Sequence, residues 1–130
     1  IFGHDHPENP RYMDRLVSAL GAEPVNFPMK SRCCGGSLII SEEAASLDLI
    51  KKLLDSAIDN GADVMVTSCP LCQLNVDAYQ TMVNSKYKTN YHLPVLFFTQ
   101  LMGIAFGLEE KDLGLKTCIV PTQKALAKFL

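Results

Sequence analysis

The chain has 130 residues, 48% of them hydrophobic, and a formal net charge of −2. That length suits one domain with a real core, and the scattered basic residues leave no electrostatic footprint for nucleic acid and no polybasic membrane anchor. The longest apolar runs, such as 93–98, fall far short of the roughly 20 residues a membrane-spanning helix needs, so the reading is a soluble protein.

Ile1 is not an initiator methionine and Gly3-His4-Asp5-His6-Pro7 opens as a loop, which predicts a piece of something longer. Asn9 is expected to cap a first helix with Pro10 at its first position. Leu16, Val17 and Leu20 then share one face, and Gly21 supplies a left-handed stop. Residues 24–28 read as a short strand and 29–36 as a loop. Ser41, with Glu42 and Glu43 behind it, is expected to open a second helix, because a hydroxyl cap and first-turn carboxylates suit the positive helix end. Leu47, Ile50, Leu54 and Ile58 form its apolar stripe, and Asn60-Gly61 ends it.

Residues 63–68 hold a short continuous apolar run, the pattern of a strand covered on both faces of a parallel sheet. Pro70 sits well at the first turn of a helix continuing through Leu74, Val76, Tyr79, Met82 and Val83. Residues 93–98 read as another strand, 99–107 as a helix, 113–121 as irregular, and 123–130 as a last helix. Strands alternating with helices predict an α/β fold around a small, mostly parallel sheet, with cysteine-bearing loops at the strands' carboxyl ends.

Those loops carry the chemistry. Four of the five thiols fall as Cys33-Cys34-Gly35-Gly36 and Cys69-Pro70-Leu71-Cys72, with 34 residues between Cys34 and Cys69. Four convergent thiolates imply a soft metal or redox chemistry, and Cys69 and Cys72 flank a helix amino terminus, where thiolate is favoured. The odd, clustered cysteine pattern differs from a secreted disulfide scaffold and points to a reducing cytosol.

Three simpler readings stand beside this one. Lone Cys118 reads as a small buried hydrophobe. The tetrad can serve as a structural zinc site, although adjacent Cys33 and Cys34 lack the spacer of a zinc knuckle. Cys69 and Cys72 alone can act as a thioredoxin-like dithiol, which leaves Cys33 and Cys34 without a role. His4 and His6 on the opening loop and His92 before a strand read as solvated or turn residues, and Met65, Met82 and Met102 as core. Thr67 and Ser68 can cap the helix that follows.

The cysteine motifs, together with Pro7-Glu8-Asn9-Pro10, Leu20-Gly21-Ala22-Glu23-Pro24, Gly61-Ala62-Asp63, Leu93-Pro94-Val95 and Thr99-Gln100-Leu101, resemble the CCG domain of the heterodisulfide reductase B-subunit family. The resemblance covers nearly the whole chain. It implies that residues 1–130 form one CCG domain, the second of two in a longer subunit, whose first cysteine ligand lies upstream of Ile1. It implies that Cys33, Cys34, Cys69 and Cys72 ligate a noncubane [4Fe–4S] cluster, with zinc or an empty site as the alternative in an isolated piece. It further implies a cytoplasmic oxidoreductase subunit that reduces a small disulfide or relays electrons. Its partners would be iron–sulfur, ferredoxin-like and flavin-containing subunits.

Overall fold

A computed structural model describes residues 5–128. The fold is α/β. Helices α1 (Tyr12–Ala19), α2 (Glu43–Asp59), α3 (Pro70–Ala78), α4 (Gln80–Tyr87), α5 (Phe98–Ala105) and α6 (Gln123–Leu126) surround two short strands, β1 (Met65–Thr67) and β2 (Val95–Phe97). The strands pair in parallel, Met65 with Val95, Val66 with Leu96 and Thr67 with Phe97.

Successive side chains of a strand point to opposite faces, and β2 uses that alternation to separate two cores. Val95 faces a cluster containing Cys34, Leu47, Ile50, Leu54, Val76 and Val83. Leu96 faces a smaller one with Leu113, Leu115 and Leu126. Each fully buried Leu or Ile contributes about 1.5–3 kcal/mol, so α2, with Leu47, Ile50, Leu53, Leu54 and Ala57 buried, is the main anchor. Cys34 is 2% exposed within that cluster, which roots one cysteine of the first motif in the core.

Several expectations are corrected. Asn9 does not cap α1; the Asp5 carboxylate accepts from the Arg11 and Tyr12 N–H groups at 2.8–2.9 Å, a longer reach than the Asn9-Pro10 pattern encodes. Residues 24–28 form no strand, so the first cysteine pair does not follow one. Ser41 is not the cap of α2, whose N-cap is Glu42 with no side-chain bond. Ile58 is exposed and Ala57 takes its place in the stripe. The helix expected from Pro70 through Val83 breaks at Tyr79 into α3 and α4. The break precedes Gln80, whose buried carboxamide donates to the Leu93 carbonyl at 2.7 Å and accepts from the Leu93 N–H at 3.0 Å. Met82 is exposed.

Other readings match. Gly21 ends α1 with φ +87° and Gly61 follows α2 with φ +84°. The stretch 113–121 is irregular apart from a 3-10 turn at Leu115–Thr117. The last helix is described only for Gln123–Leu126.

Candidate functional site

The two cysteine motifs meet. Cys72, in the first turn of α3, lies with its sulfur 3.2 Å from that of buried Cys34. Cys69 is the N-cap residue of the same helix and lies exposed. The sulfurs of Cys34 and Cys72 thus join the two motifs at the edge of the core. Cys33 lies exposed at the rim, its sulfur accepting from the Gly35 N–H at 3.4 Å.

The loop and helix interlock through shape. A Cβ placed on Gly36 would stand 2.8 Å from Leu71 Cγ, so Leu71, between Cys69 and Cys72, is seated where only a hydrogen leaves room. Gly35 has φ +73°, a left-handed conformation that costs other residues about 1–2 kcal/mol, and its Cβ would stand 3.2 Å from the Ser46 Cα of α2. Both glycines of the motif therefore have steric reasons to be glycine.

Polar bonds complete the clamp. Asn75, 2% exposed on α3, donates through Nδ2 to the Cys34 carbonyl at 3.0 Å and to Ser46 Oγ at 3.4 Å. Ser46 Oγ in turn donates to the Gly35 carbonyl at 2.9 Å. Further along α3, buried Asp77 accepts from the Ile119 and Val120 N–H groups at 2.7 and 2.9 Å. Gln73, next to Cys72, donates to Gln100 Oε1 at 3.1 Å, and Gln100 also accepts from the Phe97 N–H at 2.9 Å. In this way α3 is tied to the CCGG loop, to the end of β2 and to the segment after Cys118.

Electrostatics separates the thiols. The Cys72 N–H, the Cys72 thiol and the Leu71 N–H hold Cys69 below the ordinary thiol range, as expected where helix N–H groups converge on sulfur. Burial, then the neighbouring Cys34 and Cys69, push Cys72 up to about 12. Burial followed by the nearby Asp77 charge raises Cys118, which packs against the second core as the lone-cysteine reading expects.

Can these residues hold a metal group? The donor set is soft and all five cysteines are free thiols, which suits zinc or iron–sulfur chemistry. Among the described residues, no set of three or more His, Cys, Asp or Glu stands in chelating geometry. Within the Cys34–Cys72 pair, two thiolates on one tetrahedral ion would sit about 3.8 Å apart for bonds of about 2.3 Å. Opening the 3.2 Å contact by about half an ångström reaches that separation, a shift that side-chain rotation supplies. Cys34 and Cys72 fit two ligand positions of a thiolate-ligated group, and Cys33 and Cys69 do not complete a chelating set with them.

The remaining candidates lie elsewhere. His4 is outside the described residues. His6 accepts from the Glu8 and Asn9 N–H groups through Nδ1 and shapes the opening turn, and exposed His92 bonds Asn90. Thr67 Oγ1 accepts from the Cys69 N–H at 3.1 Å, while α3 has no side-chain cap bond. A groove of about 840 Å³ lined by Ala62, Asp63, His92, Leu93 and Lys124 opens before the strands begin, whereas Cys69 follows the end of β1. Sequence patterns do not single out Ser46, Asn75 and Asp77. Their only signal is a polar residue in a helix whose neighbours are apolar.

Residues 2–77 match the cysteine-rich CCG domain family. Curated relatives include the B subunit of the ferredoxin:CoB-CoM heterodisulfide reductase of Methanosarcina mazei, 37% identical over 94% of this chain and 41% of the relative. The 8-methylmenaquinol:fumarate reductase membrane anchor subunit of Wolinella succinogenes is 33% identical over 94% of this chain and 43% of its own length. A protein of Archaeoglobus profundus named as similar to the heterodisulfide reductase B subunit is 30% identical over 97% and 42%. The chain spans about two fifths of the length of each. Among the described residues, no helix is long and apolar enough to cross a membrane.

Proposed function

The chain belongs to the cysteine-rich CCG domain family, and from that premise we propose that it is a domain of an oxidoreductase subunit in which Cys33, Cys34, Cys69 and Cys72 hold an iron–sulfur group. The observation that carries this reading is the 3.2 Å approach of Cys34 to Cys72, which joins two motifs separated in the chain by 34 residues. The cluster type is a noncubane [4Fe–4S] centre, and the activity is reduction of a small disulfide or relay of electrons. The relatives' names, with their ferredoxin and heterodisulfide, support that class. Their greater length supports a longer subunit carrying two CCG domains, working with iron–sulfur and flavin subunits in the reducing cytoplasm.

When bound, the group supplies one-electron chemistry at a potential set by thiolate ligation, hydrogen bonds to sulfur and burial. The chain's own residues do the rest. Exposed Cys33 and Cys69 form the outer edge of the site and buried Cys34 its floor. The Gly35 N–H bonds the Cys33 sulfur, and the nearby N–H groups of Cys72 and Leu71 favour negative charge on Cys69. Leu71, about half exposed, packs against Gly36 of the CCGG loop and lays apolar surface between the two motifs.

Replacing Cys34 or Cys72 by Ser in the full-length subunit tests the reading. Iron and acid-labile sulfide should fall in each variant by the share this domain holds, while Cys118→Ser keeps both. Unchanged iron and sulfide in Cys34→Ser would overturn the ligand assignment.

A further inference from the structure

We propose that Asn75 is the positioning residue of the cysteine site, acting with Ser46 to hold the Cys34 sulfur against that of Cys72. The importance of this role rests on the four-cysteine reading above, but the geometry stands without any metal.

Asn75 is three residues after Cys72 and so lies on the same side of α3. It is 2% exposed, and a polar group is buried at such a place only when its bonds repay the lost hydration. Its Nδ2 reaches the carbonyl of Cys34 itself at 3.0 Å, so the helix carrying Cys72 grips the backbone of the residue whose sulfur Cys72 meets. A carbonyl can only accept, which fixes the orientation of the carboxamide. Ser46, fully buried on α2, accepts from the same Nδ2 and donates its own proton to the Gly35 carbonyl. Two consecutive carbonyls of the CCGG loop are thereby held from two different helices.

Two further facts separate this from ordinary loop anchoring. Asn75 Oδ1 is buried with no hydrogen-bond partner, so half of the carboxamide's bonding capacity stands idle within a cluster that includes two cysteine motifs. Such an orphan is tolerated where the other half of the group is needed in place. The carbon side is in ordinary contact range, since a Cβ on Gly36 would lie 3.5 Å from Asn75 Cβ. Asn75 therefore fixes the spacing between the loop and α3 as well as their register.

The test uses the metal-free full-length subunit and diamide as oxidant. The Cys34 and Cys72 thiols each lose a proton and together give up two electrons, their sulfurs join, and diamide is reduced to the hydrazine. Peptide mapping by mass spectrometry compares the Cys34–Cys72 link with the Cys69–Cys72 link, which lies within one motif. A merely structural role would loosen both pairs alike and leave their ratio unmoved.

Asn75→Asp, equal in size but without the donor, should lower the ratio of cross-motif to within-motif link at least tenfold. Ser46→Ala should lower it by about threefold, and it remains informative should Asn75→Asp fail to fold. Asp77→Asn, which loosens α3 from residues 119 and 120 instead, should leave the ratio within twofold of the parent. An unchanged ratio in both Asn75→Asp and Ser46→Ala, or an equal fall in Asp77→Asn, overturns the inference. Loss of the ratio in a subunit found to lack native iron upholds this inference while removing the proposed cofactor.

Discussion

Three glycine-to-alanine substitutions separate the contributions that shape the CCGG loop. Gly21 has φ +87° and nothing within 4 Å of a notional Cβ, so Gly21→Ala costs only the left-handed backbone, about 1–2 kcal/mol. Gly36 carries no positive φ, yet its Cβ would lie 2.8 Å from Leu71 Cγ and 3.3 Å from Leu71 Cδ2. Gly36→Ala is therefore a pure packing insult of about 1–3 kcal/mol, and it falls toward the lower value because half-exposed Leu71 can swing outward. Gly35→Ala combines both effects: φ is +73°, Leu49 Cδ1 would stand at 2.8 Å and the Ser46 Cα at 3.2 Å. The methyl end of Leu49 can rotate away, but the Ser46 backbone belongs to α2 and cannot. The sum is about 2–5 kcal/mol, against which a less flexible unfolded chain returns at most about 1 kcal/mol. Urea unfolding of the reduced 130-residue chain, followed by far-UV circular dichroism, measures all three. The expected order of destabilisation places Gly35→Ala first. The reasoning is refuted if Gly21→Ala costs as much as Gly35→Ala, or if Gly36→Ala leaves the midpoint at the parent value.

Other substitutions and conditions bear on the same clamp. In the metal-free reduced chain at neutral pH, iodoacetamide should modify Cys69 well ahead of Cys72, because Cys69 is held below the usual thiol range and Cys72 is pushed up to about 12; equal rates by peptide mapping would contradict the assigned environments. Asp77→Asn retains one acceptor oxygen where two backbone N–H groups now bond, and should cost about 1–3 kcal/mol in the same urea assay. The Asp5 carboxyl is held below its ordinary value by the N–H groups of Arg11 and Tyr12, against a small opposing effect of burial. A depressed carboxyl stabilises the fold above its unfolded value and loses that contribution as pH falls through its folded one. Amide protection factors in α1, corrected for the intrinsic pH dependence of exchange, should therefore fall below the usual carboxylate range, and this fall should vanish in Asp5→Asn.

The sheet was legible in the sequence because it rests on local signals, whereas the Cys34–Cys72 contact was expected from two strand-end loops, of which only the one carrying Cys69 follows a strand. The continuous run at 63–68 and the Pro70 start of α3 fix where Cys69 must fall, and the stripe of α2 supplies the floor that buries Cys34. The interior of α3 was not legible. Leu71 and Leu74 stand half exposed while Asn75 and Asp77 are buried, the reverse of what an apolar periodicity implies. The inversion follows from two backbone segments, 34–35 and 119–120, that need donors or acceptors from this helix, and a partner so distant in sequence leaves no local mark. The Asp5 cap escapes a sequence reading for the same reason: it reaches six and seven residues along the chain, whereas sequence cap patterns span about three. The strand expected at 24–28 did not form, and the sheet consists of β1 and β2 among the described residues.

The most direct test of the iron–sulfur assignment is the metal and acid-labile sulfide content of the full-length subunit purified without oxygen. Iron and sulfide in about equal amounts, both falling together by this domain's share in Cys34→Ser and Cys72→Ser, is the expected result. Stoichiometric zinc without sulfide, bound through the same cysteines, would contradict it.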